Sequence, residues 1–239
     1  MIPIRDTIRS ETYPIINYVL IALNILAFFV EQSQGRNLNE FIFTYGLVPA
    51  RYSVPQISAH FTIGQQVIAF LAFMFLHGGF FHLLGNMWFL YIFGDNVEDH
   101  LGHFRYLAFY LLCGLASGIS HLFLNWTSQI PTIGASGAIA GVMGAYFILY
   151  PRAKILTLIP IFFFIHFMKI PAFVFLGFWI FFQFLSAASS AQAGGIAWWA
   201  HIGGFIFGII FLKLFQLLPG MNTGRKFRNL TKKRTSRRL

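Results

Sequence analysis

Four polar side chains that can do chemistry lie in otherwise apolar stretches of this sequence. They are Ser136, His201 and the pair His82 and Asn86. A serine within hydrogen-bond reach of a histidine is the general-base arrangement of covalent catalysis. Asn86 and His82 are of the type that stabilises an oxyanion, together with the backbone N–H of Ser136. Because polar groups inside a bilayer are costly, such residues mark a function by default.

Ser136 lies where a loop, beginning at Pro131, turns into an apolar helix. Free N–H groups and the positive end of the helix dipole both favour an anion at such a place. The alternative is that Gly and Ser are simply common at interfaces between membrane helices. Two pairs of glycines, each four residues apart, support close helix packing beside Ser136 and His201. These glycines are Gly137 with Gly141, and Gly204 with Gly208.

The composition indicates a polytopic membrane protein. Of 239 residues, 57% are hydrophobic and only 10% are charged, against roughly a quarter charged in soluble domains. The single cysteine, Cys113, excludes an intramolecular disulfide. His77 and His82 could ligate a metal, but no carboxylate or cysteine completes a site, so no metal and no cofactor are predicted.

Apolar runs predict an all-α bundle of six transmembrane helices. An interfacial or re-entrant helix is expected at 67–76, a charged turn at 94–103, an interfacial segment at 155–168, and a small-residue loop at 186–196. The predicted organisation is an N-terminal segment 1–14, a membrane domain 15–217 and a basic tail 218–239. The predicted spans are 15–30, 79–93, 106–124, 134–150, 171–187 and 197–217.

The distribution of Lys and Arg predicts that both termini are cytoplasmic. Eight of the 17 basic residues lie between Arg225 and Arg238, whereas the predicted outer loops hold only Arg36 and Arg51. Beside a membrane span, the simpler partner for this tail is anionic lipid, and nucleic acid is not predicted. The expected location is a bacterial cell (inner) membrane.

This topology brings the four polar side chains to one depth. The second, fourth and sixth spans all run from outside to inside, and each carries its polar residues a few positions after its start. None of the seven acidic residues lies in a span near the outer surface. The sequence therefore predicts a Ser136–His201 dyad without a carboxylate. Two other histidines, His121 and His166, are assigned to helix packing.

Three ordered motifs resemble the rhomboid family of intramembrane serine proteases. They are His82-Leu-Leu-Gly-Asn86, Gly134-Ala-Ser136-Gly137 and Ala200-His201-Ile-Gly-Gly204-Phe-Ile-Phe-Gly208. The resemblance implies a six-helix bundle that cleaves transmembrane helices of other proteins near one membrane face. It also implies that Ser136 is the nucleophile, that His201 is the base, and that Asn86 and His82 stabilise the oxyanion.

Two positions depart from some members of this family. Ala140 stands four positions after the serine, where an aromatic residue can pack on the histidine, so His201 must be oriented otherwise. No Trp-Arg pair occurs between residues 31 and 78. Two other functions stay open at this point. One is a catalytically silent rhomboid-like protein that binds membrane clients, and the other is a small transporter, which the absence of inverted repeats disfavours.

Overall fold

The computed structural model describes residues 1–161, 164–189 and 197–219. Within these ranges the chain forms a helical bundle with a small sheet. The three strands are β1 (Ile2–Asp6), β2 (Lys154–Ile161) and β3 (Phe164–Pro171). The helices are α1 (Ile15–Gln32), α2 (Leu38–Tyr45), α3 (Ala50–Ser53), α4 (Pro55–Ser58), α5 (Ile63–Ala72), α6 (Phe80–Leu101), α7 (His103–Leu124), α8 (Ser136–Leu149), α9 (Ala172–Ser189) and α10 (Trp198–Leu217).

The all-α membrane bundle predicted from the sequence is confirmed. In the described part of the chain, α1, α7, α9 and α10 are each long and apolar enough to cross a bilayer. α6 meets the same test together with the segment Ile63–Phe75, from which it is bent by 75°. α8 has only 14 residues, but most of them are buried because α8 packs against α6, α7 and α10 at the centre of the bundle.

The charged turn predicted at 94–103 is wrong, because α6 continues to Leu101. Only Gly102, with a φ of +81°, separates α6 from α7. The acidic residues are tolerated in the helix because they meet donors at the start of α1. Glu98 accepts hydrogen bonds from the backbone N–H groups of Ile16 and Asn17 at 3.0 and 2.7 Å. A carboxylate at a helix N-terminus is favoured by the helix dipole.

The apolar segment predicted at 155–168 forms an antiparallel β-hairpin, which the sequence analysis did not predict. β2 is the central strand and pairs with β1 on one side and β3 on the other. Pro160 prevents a helix here, but it is tolerated in β2 because β1 pairs only as far as Leu158. The remaining residues are mostly β-branched, aromatic or leucine, which suit strands.

The N-terminal segment is part of this structure rather than a separate arm, because β1 pairs with β2 and packs on α6. The predicted loop at 186–196 is helical to Ser189, and its part at 190–196 lies outside the described residues. The basic tail from residue 220 onward also lies outside them. We call the end of the bundle that carries Asp6 and Gly102 the N-terminal end, and the opposite end the loop end.

Candidate functional site

The loop that leads into α8 is held at three points at the loop end. Thr132 pairs with Leu47 through two backbone hydrogen bonds of 2.8 and 3.0 Å, and its hydroxyl lies 2.8 Å from Nε2 of His121. The N–H of Gly134 donates to the carbonyl of Phe73 at 2.8 Å. His121 therefore positions a loop rather than packing helices. As a result Ser136 becomes the first residue of α8, where helix N–H groups have no partner within the helix.

The structure brings Ser136 and His201 together. Oγ of Ser136 lies 2.7 Å from Nε2 of His201, which is within the normal range of a hydrogen bond. Ser136 lies on α8 and His201 on α10, and the two residues are 65 positions apart in the chain. Each lies at or near the start of its helix, so this contact forms at the loop end of the bundle.

Four glycines allow α8 and α10 to approach at backbone contact. A Cβ atom at Gly204 would lie 2.0 Å from the carbonyl oxygen of Gly137, and one at Gly208 would lie 2.1 Å from that of Gly141. The other side of α8 is equally close to α7, because a Cβ atom at Gly141 would lie 2.5 Å from Sγ of Cys113. Gly137 follows Ser136 directly and Gly204 follows His201 by three residues, so this contact sets the distance between Ser136 and His201.

A residue that the sequence analysis missed orients His201 from the other side. Oε1 of Gln183, on α9, lies 2.8 Å from Nδ1 of His201. The rings of Trp179 and Trp198 flank the imidazole, with centroids 6.0 and 6.1 Å away. They occupy the aromatic role that Ala140 cannot fill. One signal could have revealed Gln183, because it is the only amide in an otherwise apolar span and polar groups there are costly.

His82 and Asn86 lie on α6, opposite Ser136 across a cavity. The ring of His82 stands against Gly134, where a Cβ atom would lie 2.9 Å from both Cε1 and Nε2 of the imidazole. Gly134 also has a φ of +133°, which disfavours any side chain. Asn86 is buried, and among the described residues its Nδ2 has no hydrogen-bond partner. A buried donor without a partner costs about 1–3 kcal/mol, so this amide is available to an incoming oxygen atom.

The cavity that joins these groups has a volume of about 680 Å³. Ser136 and His201 lie on its wall, with Phe81, Gly85 and Phe89 on the α6 side and Trp179 and Gln183 on the α9 side. Toward the N-terminal end, the rings of Phe93 and Phe175 lie 6.4 Å apart and bring α6 and α9 together below the cavity. The cavity therefore lies between α6 and α9 near the loop end.

The described residues contain no group of three or more His, Cys, Asp or Glu side chains that could hold a metal ion. The rings of His77 and His82 do meet, with centroids 5.2 Å apart, in an edge-on contact. The backbone N–H of His77 donates to Glu31 at 2.8 Å. These contacts fix the turn between α5 and α6, and so the position of His82.

The chain belongs to the rhomboid family. The family model described as "Rhomboid domain" matches residues 64–216, which contain all four polar side chains of the site. "Rhomboid protein 1, mitochondrial" of Saccharomyces cerevisiae is 28% identical over 204 residues, which cover 81% of this chain and 51% of that protein. "Presenilin-associated rhomboid-like protein A, mitochondrial" of Danio rerio is 28% identical over 186 residues, covering 73% of this chain and 45% of its own length.

A shorter match has higher identity. "RHOMBOID-like protein 6, mitochondrial" of Arabidopsis thaliana is 39% identical over 83 residues, which cover 34% of this chain and 26% of that protein. This chain thus spans about half the length, or less, of the curated relatives that it matches. Family membership is therefore shared with proteins that are considerably longer.

Proposed function

We propose that this protein is an intramembrane serine endopeptidase that cleaves transmembrane segments of other membrane proteins near the loop end of its bundle. The observation that carries the proposal is the 2.7 Å contact between Ser136 Oγ and His201 Nε2, at the wall of a cavity that also holds Asn86 and His82. The arrangement combines a nucleophile, a base and oxyanion donors, which are the three parts that acyl transfer requires.

The hydrogen bond between Gln183 and His201 supports the required tautomer. If Nδ1 carries the proton and its N–H donates a hydrogen bond to Oε1 of Gln183, then Nε2 is free to accept the proton of the Ser136 hydroxyl. In the first step, Ser136 Oγ bonds to the carbonyl carbon of the substrate as its proton moves to Nε2. The carbonyl oxygen becomes an oxyanion, which the N–H of Ser136, the amide of Asn86 and the ring of His82 stabilise.

The second half of the reaction restores the enzyme. The protonated imidazole of His201 gives its proton to the leaving amine as the peptide C–N bond breaks, which leaves an ester on Ser136. A water molecule then attacks the ester carbon while Nε2 takes a proton from it, and the release of the acid returns the hydroxyl of Ser136. Water enters the cavity from the loop end in this scheme.

The substrates that we propose are single-pass transmembrane proteins. Their helices must unwind locally, because helical carbonyl groups are already hydrogen-bonded and unavailable to the nucleophile. Entry between α6 and α9 suits the position of the cavity, since both helices line it. Membrane lipid surrounds the bundle, and the basic residues of the N-terminal end suit an anionic leaflet.

For orientation, we propose that both termini face the side richer in Lys and Arg and that cleavage occurs near the opposite face. The relatives named above come from yeast, fish and a plant, and their names place them in mitochondria. These names do not fit the bacterial cell membrane predicted from the sequence. We therefore propose an integral membrane protease without assigning it to a particular membrane. The side that each terminus faces is given only by the distribution of Lys and Arg.

The decisive test is cleavage of a labelled transmembrane substrate by the purified protein in lipid vesicles. We expect Ser136→Ala to abolish cleavage and His201→Ala nearly to abolish it. Ser120→Ala is the matched control, because the Ser120 hydroxyl bonds to the carbonyl of Ala116 within α7 and does not line the cavity. A fluorophosphonate probe should label the parent protein and Ser120→Ala, but neither dyad variant.

Full activity of Ser136→Ala would refute the proposal. If the parent protein binds transmembrane segments but neither cleaves them nor reacts with the probe, the catalytically silent client-binding function would replace it. Substrate-dependent ion or solute flux without cleavage would indicate the transporter instead.

A further inference from the structure

The small sheet stands beside α6 rather than beneath the bundle. The indole N–H of Trp88 donates to the carbonyl of Pro3 at 2.6 Å, and the amide of Asn96 donates to Asp6 at 3.0 Å. Trp88 and Asn96 are eight residues apart, or about 12 Å along the helix. Pro3 and Asp6 are about 10 Å apart along a strand. β1 therefore runs along the side of α6 and is nearly aligned with it.

The hairpin extends beyond β1 toward the loop end. Ile2 pairs with Leu158, and three further β2–β3 pairs follow, as far as Ile161 with Phe164. These three pairs add about 10 Å at 3.3 Å per residue. His82 precedes Trp88 by six residues, or about 9 Å of helix. By these lengths, the distal hairpin extends to about the depth of His82 on α6.

The outer edge of β3 is open. β1 is the opposite edge of the sheet and lies against α6, whereas no strand in the described residues pairs with the far side of β3. Side chains on both faces of β3 are exposed, and between Phe164 and Met168 all but His166 are apolar. The exposed fractions of the apolar side chains are 71% for Phe164, 64% for Ile165, 63% for Phe167 and 51% for Met168. The prediction that His166 packs helices is wrong, because His166 lies on this strand and pairs with Ile159. The charged residues lie at the root of the sheet, where Arg5, Leu156 and Lys169 form one cross-strand row.

An unpaired strand edge that carries exposed apolar side chains is unusual in apolar surroundings. Every second residue of an edge strand points its backbone N–H and C=O away from the sheet. Such groups cost several kcal/mol each in hydrocarbon when they have no partner, so open sheet edges are not left exposed to lipid. Acyl chains cannot bond to them, and an intact helix has no spare groups in its middle. An extended peptide chain can, since it presents N–H and C=O groups at the same spacing.

We propose that the open edge of β3 receives an unwound, extended stretch of the substrate's transmembrane segment by β-strand addition. This inference rests on the proposed function and names where the substrate backbone docks before it reaches Ser136. Hydrolysis requires an extended chain at this depth. The sheet runs along α6, the helix whose Phe81 and Gly85 line the cavity, and β3 is separated from α6 by β1 and β2. The exposed apolar side chains of β3 select apolar residues in the docked stretch.

The test is disulfide crosslinking in lipid vesicles between the protease and a single-pass substrate. The protein carries Ser136→Ala to prevent turnover, and Cys113→Ala to remove the buried native thiol. Ile165→Cys places a thiol on β3. The matched control is Ile206→Cys on α10, another exposed apolar residue, five positions after His201. Substrate cysteines are scanned one residue at a time through the transmembrane segment.

We expect Ile165→Cys to crosslink several-fold more than Ile206→Cys, at alternate substrate positions, because side chains of a docked strand alternate in direction. Equal yields at the two sites would overturn the proposal. So would a pattern that repeats every three to four residues, which shows a docked helix, or disulfides formed only between two copies of the protease, which assign the edge to self-association.

Failure of this proposal is distinguishable from failure of the proposed function. The crosslinking scan needs no turnover, whereas the same Ile165→Cys protein with Ser136 restored reports cleavage and fluorophosphonate labelling. Labelling also shows that the substitution leaves the site folded. Normal cleavage without β3 crosslinks would reject strand addition alone, while alternate crosslinks without any cleavage would reject the protease and leave β3 as a client-binding edge.

Discussion

The α8–α10 contact allows a quantitative prediction about Gly204→Ala. The new Cβ would lie 2.0 Å from the Gly137 carbonyl oxygen, whereas ordinary van der Waals contact begins at 3.4 Å. The obstacle is backbone, which cannot rotate away, so the helices must separate locally by about 1.4 Å. That shift occurs one helical turn from His201 and next to Ser136.

The consequence for the site follows from the same distances. A separation of about 1.4 Å along the Ser136–His201 contact would stretch it from 2.7 Å to about 4 Å, beyond hydrogen-bond range. Misplacement of reacting groups by about 1 Å can cost about 10²-fold in rate. We therefore expect Gly204→Ala to lower cleavage about 10²-fold, and overpacking to reduce the free energy of unfolding by about 1–3 kcal/mol.

The control is Gly177→Ala on α9. An added Cβ at Gly177 meets no atom within 4 Å, so this variant shares the gain in helix propensity without the clash. Both proteins would be assayed for cleavage of one transmembrane substrate and for thermal unfolding in the same detergent. Wild-type cleavage by Gly204→Ala would refute the argument that glycine contact sets the dyad distance. An equal loss in Gly177→Ala would attribute the effect to glycine replacement in general.

Three further predictions use the same assays. Asn86→Ala should lower kcat about 10²–10³-fold with a small change in KM, because oxyanion donors act in the transition state; an unchanged kcat would remove Asn86 from the mechanism. Gln183→Leu should lower kcat about 2- to 13-fold, the equivalent of one neutral hydrogen bond of about 0.5–1.5 kcal/mol, and a loss near 10⁴-fold would show a stronger role. Burial raises the pKa of Asp6, outside the spanning helices, from 3.8 to about 6. Below pH 4 the contribution of Asp6 to the free energy of unfolding is fully present. It is lost as the pH rises through 6, and the loss is at most about 3 kcal/mol. In Asp6→Asn, the free energy of unfolding measured between pH 4 and 8 should lack this part of the pH dependence.

The spans could be predicted from the sequence because hydropathy and helix length are local properties. The predicted starts of the first and last spans agree with α1 and α10 within one residue. The end of α6 could not be predicted in this way. Asp95, Glu98 and Asp99 look like a turn when read alone, yet Glu98 is satisfied by N–H groups at the start of α1, more than 80 positions away. A helix end that depends on a distant partner leaves little signal in its own residues.

The hairpin was missed for a related reason. Residues 155–168 are apolar without a clear period, and such runs do not distinguish strand from buried helix. What decides between them is β1, because Ile2–Asp6 supplies a third strand that covers one edge of β2. The N-terminal residues were treated as a separate polar segment, so no partner for a strand was available to the prediction.

The site was partly accessible because three of its helices share a direction and carry polar residues at one depth. Gln183 was missed because the search for a partner of His201 considered only carboxylates. The surroundings of His201 favour an amide instead. An ionised carboxylate beside Trp179 and Trp198 would have to be removed from water at a cost of several kcal/mol, and the described residues that line the cavity include no Lys or Arg to offset it. An amide oxygen accepts a hydrogen bond from the Nδ1–H group and fixes the tautomer without that cost. A histidine base that lies within the membrane boundary should therefore be oriented by a neutral group, as Gln183 orients His201.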